Sequence, residues 1–165
     1  VAEALKRGGI ACYENDAVRL EKDGHGFWIA GLGDQWAFWP KSRRSGQSRS
    51  PYVGVHDLAA LMSQVRDNAP VVMMAHEPDV FSEMGTFADR IALTVSGHTH
   101  GGQVRLAGYA PIVPSKYGQR YAYGHVRDGD RHLVVSGGLG VSGLPVRFGV
   151  PPEIVLIEVG GGGET

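Results

Sequence analysis

The residues most able to do chemistry in this sequence are histidines that follow short apolar runs. The segment GHTHGGQ occupies residues 97–103, directly after the apolar run 91–95. Two imidazoles one residue apart, at a strand end and beside glycines that let the backbone turn, can point into one site. Neutral imidazole is the commonest side-chain ligand for transition metals, so His98 and His100 are candidate metal ligands. The alternative is a polar loop in which both histidines are solvated.

A third histidine has the same kind of placement. The segment AHEPD at 75–79 follows a second apolar run, at 71–75. Taken alone, His76 would be interpreted as a hydrogen-bonded residue at the rim of a sheet. Because histidines follow two strands that can be neighbours in one sheet, we instead predict that His76, His98 and His100 form part of one metal site. The set is short of carboxylates.

The elements that position these histidines follow from the hydrophobic pattern. The runs 71–75 and 91–95 are continuously apolar, which is typical of strands buried on both faces. Two hairpins are predicted, each around a turn that contains Asp and Gly. The remaining predictions, in chain order, are a helix end at 2–6, the first hairpin at 17–21 and 26–32, a helix within 55–65 that ends before Pro70, the second hairpin at 121–127 and 132–136, and a final strand at 154–159. This content predicts an α/β layered domain, richer in strand than in helix.

Length and composition describe an ordinary globular domain. The chain has 165 residues, a net charge of −1 and one cysteine, Cys12, so it forms no intrachain disulfide and no thiolate zinc site. The charge gives no general attraction to nucleic acid. No apolar run approaches the roughly 18 residues that span a bilayer, which predicts a cytoplasmic or peripheral protein rather than an integral one. Residues 1–159 are predicted to form the domain, followed by a disordered glycine-rich tail at 160–165.

Three segments, in this order, resemble the calcineurin-like metallophosphoesterases, and in particular a bacterial branch of phosphodiesterases. They are AHEPD at 75–79, GHTHGGQ at 97–103, and LGVSGLPVRF at 139–148 continuing to PEI at 152–154. The resemblance spans nearly the whole chain and corresponds to the C-terminal half of such enzymes. It implies their fold, a layered sandwich of mixed β-sheets flanked by helices, of which this chain would be the C-terminal portion.

The resemblance also implies an activity and a set of ligands. The activity is metal-dependent hydrolysis of phosphoesters, phosphodiesters in particular, by a hydroxide that two divalent metal ions bridge. Carried over position by position, His100 would bind the first metal, and His98 and His76 the second. The ions would be Mn, Fe, Zn or Co, between which the ligand types do not choose. Arg147 would contact the phosphoester substrate, or else form a buried ion pair with Glu153.

Other motifs of the family are not found in this sequence. These are D-x-H, G-D-x-x-D and G-N-H-D/E, which carry the remaining ligands and the catalytic histidine. No catalytic residue is therefore assigned, and we expect this chain to hold about half of the metal shell and an N-terminal half to supply the rest. Asp34 follows Gly33 without a second acid after it, so it receives no ligand role. The alternative function is a non-catalytic remnant that binds metal weakly, packs against a separate N-terminal half, or self-associates.

Residues 36–49 combine aromatic and basic side chains. Trp36, Phe38 and Trp39 precede four basic residues, and no acidic residue occurs between Asp34 and Asp57. One interpretation is a solvated surface loop. The other is a contact with an anionic lipid or membrane surface, with tryptophan at the interface and the basic side chains near phosphate.

Overall fold

The fold is built on one six-stranded mixed sheet with strand order β1-β2-β3-β4-β6-β5. The structure is a computed structural model that describes residues 2–38 and 53–160. The strands are β1 (Asp16–Lys22), β2 (His25–Gly31), β3 (Val71–Met74), β4 (Ile91–Ser96), β5 (Gly124–Asp128) and β6 (Arg131–Val135). The helices are α1 (Ala2–Arg7), α2 (Leu58–Met62) and α3 (Val80–Glu83), with 3₁₀ turns at Gly85–Arg90, His100–Gly102 and Gly118–Tyr121. The α/β prediction is confirmed.

Both predicted hairpins are present, and their turn residues explain why. Asp23 and Gly24 separate the paired residues Lys22 and His25, and have φ values of 53° and 77°. Two consecutive positive φ angles are what a type I′ turn requires, and Asp-Gly supplies them. At the second hairpin, Gly129 has a φ of 62° at the first position of the two-residue turn. Its first strand begins three residues later than predicted, because Tyr121 lies in a 3₁₀ turn.

Four parallel strands direct their carboxyl ends to one edge of the sheet. β2 pairs with β3, β3 with β4, and β4 with β6, all in parallel. Backbone bonds continue past the strand ends, since the Ala75 amide donates to the Val95 carbonyl at 3.0 Å and the Gly97 amide to the His76 carbonyl at 3.2 Å. The segments that carry the three predicted histidines therefore leave the sheet side by side, at the edge where ligands collect in α/β folds.

The main core lies on one face of this sheet. Buried residues of β2, β3 and β6 pack there against Leu61 and Met62 of α2, Phe81 of α3 and the fully buried Tyr121. The helix predicted within 55–65 is confirmed only over the five residues of α2, which the Asp57 side chain caps by accepting from the Ala60 amide. Within residues 2–38 and 53–160, no helix combines the length and the apolar composition needed to cross a membrane.

The prediction that the two central strands are buried on both faces is wrong for β3, whereas in β4 Leu93 and Thr94, which lie on opposite faces, are both buried. In β3, Met73 is fully buried, whereas Met74 on the opposite face is 36% exposed. The ladder register places a row of apolar residues on that opposite face, which we call the second face. It comprises Val18, Leu20, Phe27, Ile29, Val72, Met74, Leu93, Val95 and Val134. The continuous apolar sequence correctly predicted that both faces are apolar, but the buried helix residues in the described part of the chain pack against the core face.

The predicted final strand at 154–159 is also wrong. No residue in the described part of the chain forms a ladder with this segment, and Ile154 and Leu156 are 84% and 85% exposed. Alternating apolar residues are compatible with a strand, but a strand also needs a hydrogen-bonding partner. The segment instead lines, with His132 and Val134, a groove of about 750 Å³. Residues 39–49 and the tail beyond Gly160 lie outside the described residues, so the predictions made for them stay predictions.

Candidate metal centre

The turn after β4 adopts an unusual backbone. His98, His100 and Gly101 have φ values of 65°, 51° and 64°. A non-glycine residue in this left-handed region costs about 1–3 kcal/mol and needs support from its surroundings. Thr99, only 1% exposed, provides it, since its hydroxyl donates to the Ala122 carbonyl at 2.7 Å and accepts from the Gly101 amide at 3.3 Å. The turn therefore holds the backbone of both histidines in a conformation that an unconstrained loop would rarely populate.

Glycine is required at the end of this turn by space as well as by φ. A Cβ on Gly102 would lie 2.2 Å from the Cβ of Ala110, and one on Gly101 would lie 2.7 Å from Val150 Cγ1. Gly102 also has a φ of 79°. The Gly-Gly pair thus allows the backbone that follows the histidines to pack closely against the segments that carry Ala110 and Val150.

His98 and His76 are in contact at adjacent strand ends. His98 Nδ1 lies 3.2 Å from His76 Nε2, and Trp36 packs edge-on against the His98 ring at a centroid distance of 4.7 Å. His98 Nε2 is buried and has no hydrogen-bond partner among the described residues. Burial lowers the pKa of His98 below its ordinary value, and the charge of His76 lowers it further. His98 is therefore held as a neutral imidazole, the form that binds metals.

Glu77 is an acidic residue of this site to which the sequence analysis assigned no role. It is 2% exposed, and its Oε2 accepts a hydrogen bond from the Gln35 amide at 3.1 Å. Its Oε1 is buried without a partner in the described part of the chain. Burial raises the pKa of Glu77 to about 7; the Gln35 amide lowers it, and hydrogen bonding and charge from Asp34 raise it. Asp34, which received no ligand role, thus lies beside a buried carboxyl group of the site.

His76, Glu77 and His98 together offer three ligand atoms that lie within 4.8 Å of one another. Among residues 2–38 and 53–160, this is the group with a metal-binding arrangement. The buried unpartnered atoms His98 Nε2 and Glu77 Oε1 are those that a metal would satisfy. The residues present therefore fit a divalent metal ion.

His100 lies outside this group of three but close to it. Its Nδ1 is 3.3 Å from the Gly140 carbonyl and 3.5 Å from Arg147 Nη2, and its charge contributes to the lowered pKa of His98. A backbone carbonyl facing Nδ1 is a frequent arrangement for a histidine whose other nitrogen binds a metal. The structure thus brings His76 and His98 together and sets His100 beside the loop that carries Gly140.

Arg147 does not form the ion pair with Glu153 that was the structural alternative for it. Among the described residues, its guanidinium Nε donates to the Gly140 carbonyl at 2.8 Å and Nη2 donates to the Gly137 carbonyl at 2.5 Å. Glu153 accepts instead from the Gly137 amide and the Tyr123 hydroxyl. Carbonyl groups of the same loop, rather than the Glu153 carboxylate, are the hydrogen-bond acceptors of the guanidinium. Arg147 Nη1 stays buried without a partner in the described part of the chain.

The comparisons with known proteins find relatives named metallophosphoesterase or phosphodiesterase. The chain is 33% identical to the uncharacterized metallophosphoesterase YkuE of Bacillus subtilis over 156 residues, which is 94% of the chain and 48% of that protein. It is 29% identical to the phosphodiesterase YaeI of Escherichia coli, over 96% of the chain and 51% of the relative. An uncharacterized metallophosphoesterase of Aquifex aeolicus is 26% identical, over 96% of the chain and 54% of the relative. No protein-family model and no solved structure matches.

These relatives confirm the resemblance that the motifs indicated. The chain spans about half the length of the relatives it matches, which is consistent with a C-terminal half. The mixed sheet with flanking helices is likewise consistent with their fold.

Proposed function

We propose, from the premise that this chain is homologous to metallophosphoesterases over about half their length, that it contributes metal ligands and substrate contacts to the hydrolysis of phosphoesters. The observation that carries the proposal is the His76–His98 pair. Its two ring nitrogens lie 3.2 Å apart at the carboxyl ends of adjacent parallel strands. Phosphodiesters are the proposed substrate class, because one of these relatives is named a phosphodiesterase.

The proposed ligands are His76 and His98 for one ion and His100 for another, as the motif positions imply. Divalent metal ions supply Lewis-acid stabilisation of phosphoryl oxygens and make water more acidic. The chain's own contribution is to hold imidazoles in place: Thr99 fixes the turn, and Trp36 shields one side of His98 from water. The identity of the metal, Mn, Fe, Zn or Co, is left to experiment, since imidazole suits all of them.

Arg147 is the proposed contact for the substrate's phosphoryl oxygens. Its position is fixed by two carbonyl groups of the loop beside His100, and its Nη1 still has an unused donor. Guanidinium is well suited to phosphate, because it can form two charge-assisted hydrogen bonds at once. The competing role is to brace this loop, in which case substituting Arg147 would lower stability rather than raise KM.

Metal binding tests the proposal at the level of this chain. We expect the purified chain to bind Co²⁺ or Mn²⁺ in isothermal titration calorimetry, with the affinity falling at least tenfold in His98→Ala and in His76→Ala. His25→Ala is the matched control, because this exposed histidine at the start of β2 is not part of the site. Equal affinity in wild type and in both site variants would contradict the proposal.

A hydrolysis assay separates the enzyme from its alternative, a non-catalytic remnant. We expect the 165-residue chain to hydrolyse a chromogenic phosphodiester feebly or not at all with Mn²⁺, because no bridging carboxylate motif is found in it. Feeble turnover that His98→Ala removes supports a partial catalytic site. Metal binding without any turnover fits a partial site as well as it fits the remnant, whereas robust turnover abolished by His98→Ala would show that the site is complete in this chain.

An anionic lipid surface remains a proposed partner. Support for it comes from loops next to the site in the described part of the chain. Large apolar side chains are exposed beside Gly140 and Gln103, namely Leu106, Leu139, Leu144, Val146 and Phe148. Of the six basic residues in 91–127 and 131–152, three pair with Glu83, Asp128 or Asp130, whereas Arg105, Arg120 and Arg147 form no ion pair among the described residues. Exposed apolar groups with surrounding positive charge suit an anionic bilayer.

Vesicle flotation tests this partner. We expect the chain to float with phosphatidylglycerol vesicles and not with phosphatidylcholine vesicles, and Leu144→Ser with Phe148→Ser to reduce the floating fraction severalfold. Ile154→Ser is the control, since Ile154 is at least as exposed but lies in the C-terminal segment. Binding that neither the lipid charge nor the loop variants change would argue against the proposal.

A further inference from the structure

The carboxyl group of Glu77 is buried in a way that its protein contacts do not account for. The residue is 2% exposed; its Oε2 accepts from the Gln35 amide at 3.1 Å, and the Asp34 carboxyl group also hydrogen-bonds to it. Its Oε1 has no partner among residues 2–38 and 53–160. Leaving a buried polar atom unsatisfied costs about 1–3 kcal/mol, and more for a charged group. Because this burial lowers the stability of the folded protein, we look for a functional role for Glu77.

The surroundings of Glu77 point to a cation as the missing partner. Asp34 lies against it, so two carboxyl groups share one poorly solvated place. No lysine or arginine side chain forms an ion pair with either of them in the described part of the chain. The groups on the other side are instead His76 and His98, whose nitrogens are metal ligands by type. A divalent ion would neutralise the carboxylate and satisfy the orphaned oxygen in one step.

The donor set is also chemically complete for one ion. Two imidazoles and one carboxylate, with a position left open, form a known ligand set of catalytic zinc sites. The ligand atoms of the three residues all lie within 4.8 Å of one another. His98 Nε2 is the second buried atom of the group that has no partner in the described part of the chain. Two orphaned atoms on two of the three ligands make a structural role for the cluster, without a metal, energetically costly.

We propose that Glu77 is a metal ligand, which with His76 and His98 forms a three-residue divalent-cation site contained within this chain. The inference rests on the proposed function, which assigns His76 and His98 as ligands, and it adds a carboxylate that the motif comparison did not assign. It follows that one ion binds to the 165-residue chain without a ligand from any other polypeptide. Asp34 is then a positioning residue, which holds the Glu77 carboxyl group toward the imidazoles.

Cobalt titration of the purified chain tests the proposal directly. Visible absorption of Co²⁺ reports the ligand set independently of any activity, and thermal unfolding with and without Co²⁺ reports the coupling of metal to fold. We expect one Co²⁺ per chain, and a dissociation constant at least tenfold higher in Glu77→Gln. Glu21→Gln, an exposed glutamate of β1, is the matched control and should bind as wild type does.

The melting temperature without metal separates a ligand from a structural residue. We expect Glu77→Gln to melt at the wild-type temperature or above it when no metal is present, because the amide removes the repulsion between two carboxyl groups. It should lose the rise in melting temperature that Co²⁺ gives to the wild type. Should Glu77→Gln fail to fold, Glu77→Asp keeps the charge but withdraws it by one methylene, and should show the same loss of Co²⁺ affinity.

The outcomes distinguish this inference from the proposed function. Wild-type Co²⁺ affinity in the Glu77 variants, with weakened binding in His98→Ala, would overturn the role of Glu77 and leave the proposed function intact. Wild-type affinity in both Glu77→Gln and His98→Ala would overturn the two together. Weakened binding in both supports a site made of all three residues.

Discussion

The carboxyl group of Asp67 joins two strands at the amino end of β3. Its Oδ2 accepts from Arg19 Nε at 2.8 Å, and its Oδ1 accepts from Trp28 Nε1 at 2.8 Å and from the Ala69 amide at 3.1 Å. The hydrogen bond from Trp28 is the largest contribution, and with that from Arg19 it lowers the pKa of Asp67 to about 2. A carboxylate with a lowered pKa stabilises the folded protein only while it is ionised.

Substitution of Asp67 by asparagine should therefore have a pH-dependent effect. The folded pKa lies below the unfolded value near 3.8, so the contribution is complete above pH 4 and is lost as the pH falls toward 2. We expect Asp67→Asn to be less stable than wild type in urea unfolding at pH 7, with the difference shrinking between pH 4 and pH 2. Asp130→Asn, at a fully exposed aspartate, is the control. A difference that is the same at every pH would disprove the assignment.

Thr99 is the residue that keeps the two histidines of the turn in place. We expect Thr99→Val to lower the free energy of unfolding by about 1–3 kcal/mol, because the buried Ala122 carbonyl loses its donor. The variant should also bind Co²⁺ more weakly, since the left-handed conformations of His98 and His100 lose their support. Chemical denaturation and metal titration measure the two effects. Thr99→Ser keeps the hydroxyl and should behave as wild type in both; if it does not, packing rather than the hydrogen bond is responsible.

At the scale of elements, the helices are too short to be stable by themselves. α2 has five residues, whereas an isolated helix in water needs about 12–15 to be even marginally stable. It forms because Leu61 and Met62 are buried against the sheet and because Asp57 caps its first turn. We expect tertiary burial to be the larger of these two contributions, and the cap the smaller.

Two substitutions in α2 compare those contributions. We expect Leu61→Ala to cost about 2–5 kcal/mol, because it leaves a cavity in the core, and Asp57→Ala to cost about 0.5–2 kcal/mol, because it removes one cap. Urea denaturation followed by circular dichroism measures both. Ala59→Ser on the exposed side of the helix is the control. A larger effect from Asp57→Ala than from Leu61→Ala would mean that α2 is held by its cap and not by packing.

For the whole molecule, the distribution of apolar residues between the two faces of the sheet has a consequence in solution. If an N-terminal half normally covers the apolar runs 71–75 and 91–95, this chain alone is expected to leave one of them with an unpaired edge or a bare face. β3 and β4 are interior strands, paired on both sides, so the expectation of an unpaired edge is wrong. The alternative form of that expectation, a bare face, matches the partly exposed second face, where Leu20 is 42% and Met74 is 36% exposed. Exposed apolar side chains on one face of a sheet favour association of two or more chains through that face.

We therefore expect the isolated 165-residue chain to be an oligomer or an aggregate. Size-exclusion chromatography with light scattering should give a mass above the 17.7 kDa of one chain. Leu20→Lys combined with Met74→Lys should shift the mass toward one chain, because charge opposes burial of the second face. Leu5→Lys, on an exposed apolar residue of α1, is the control and should leave the mass unchanged. A monodisperse monomer with a cooperative melt would contradict this prediction.

Local sequence determined the parts of this protein that depend on neighbouring residues. Asp23-Gly24 specified a tight hairpin, since the turn's positive φ angles are a property of those two residues. Apolar runs located β3 and β4, and the strand-end histidines located the edge that bears the site, because parallel strands bring their carboxyl ends together.

Tertiary structure alone decided what depends on partners far apart in the chain. Glu77 became a buried member of the site because β2, more than 40 residues earlier, lies beside β3 and brings Gln35 and Asp34 to it. An apolar pattern predicts that a face will be buried, but not which segment will cover it. The pattern at 154–159 therefore predicted a strand, for which the described residues provide no hydrogen-bonding partner. Arg147 could equally have paired with Glu153 by charge, and only the course of its loop gave it the carbonyls of Gly137 and Gly140. Strand order and loop course are set by long-range packing, which short sequence patterns do not encode.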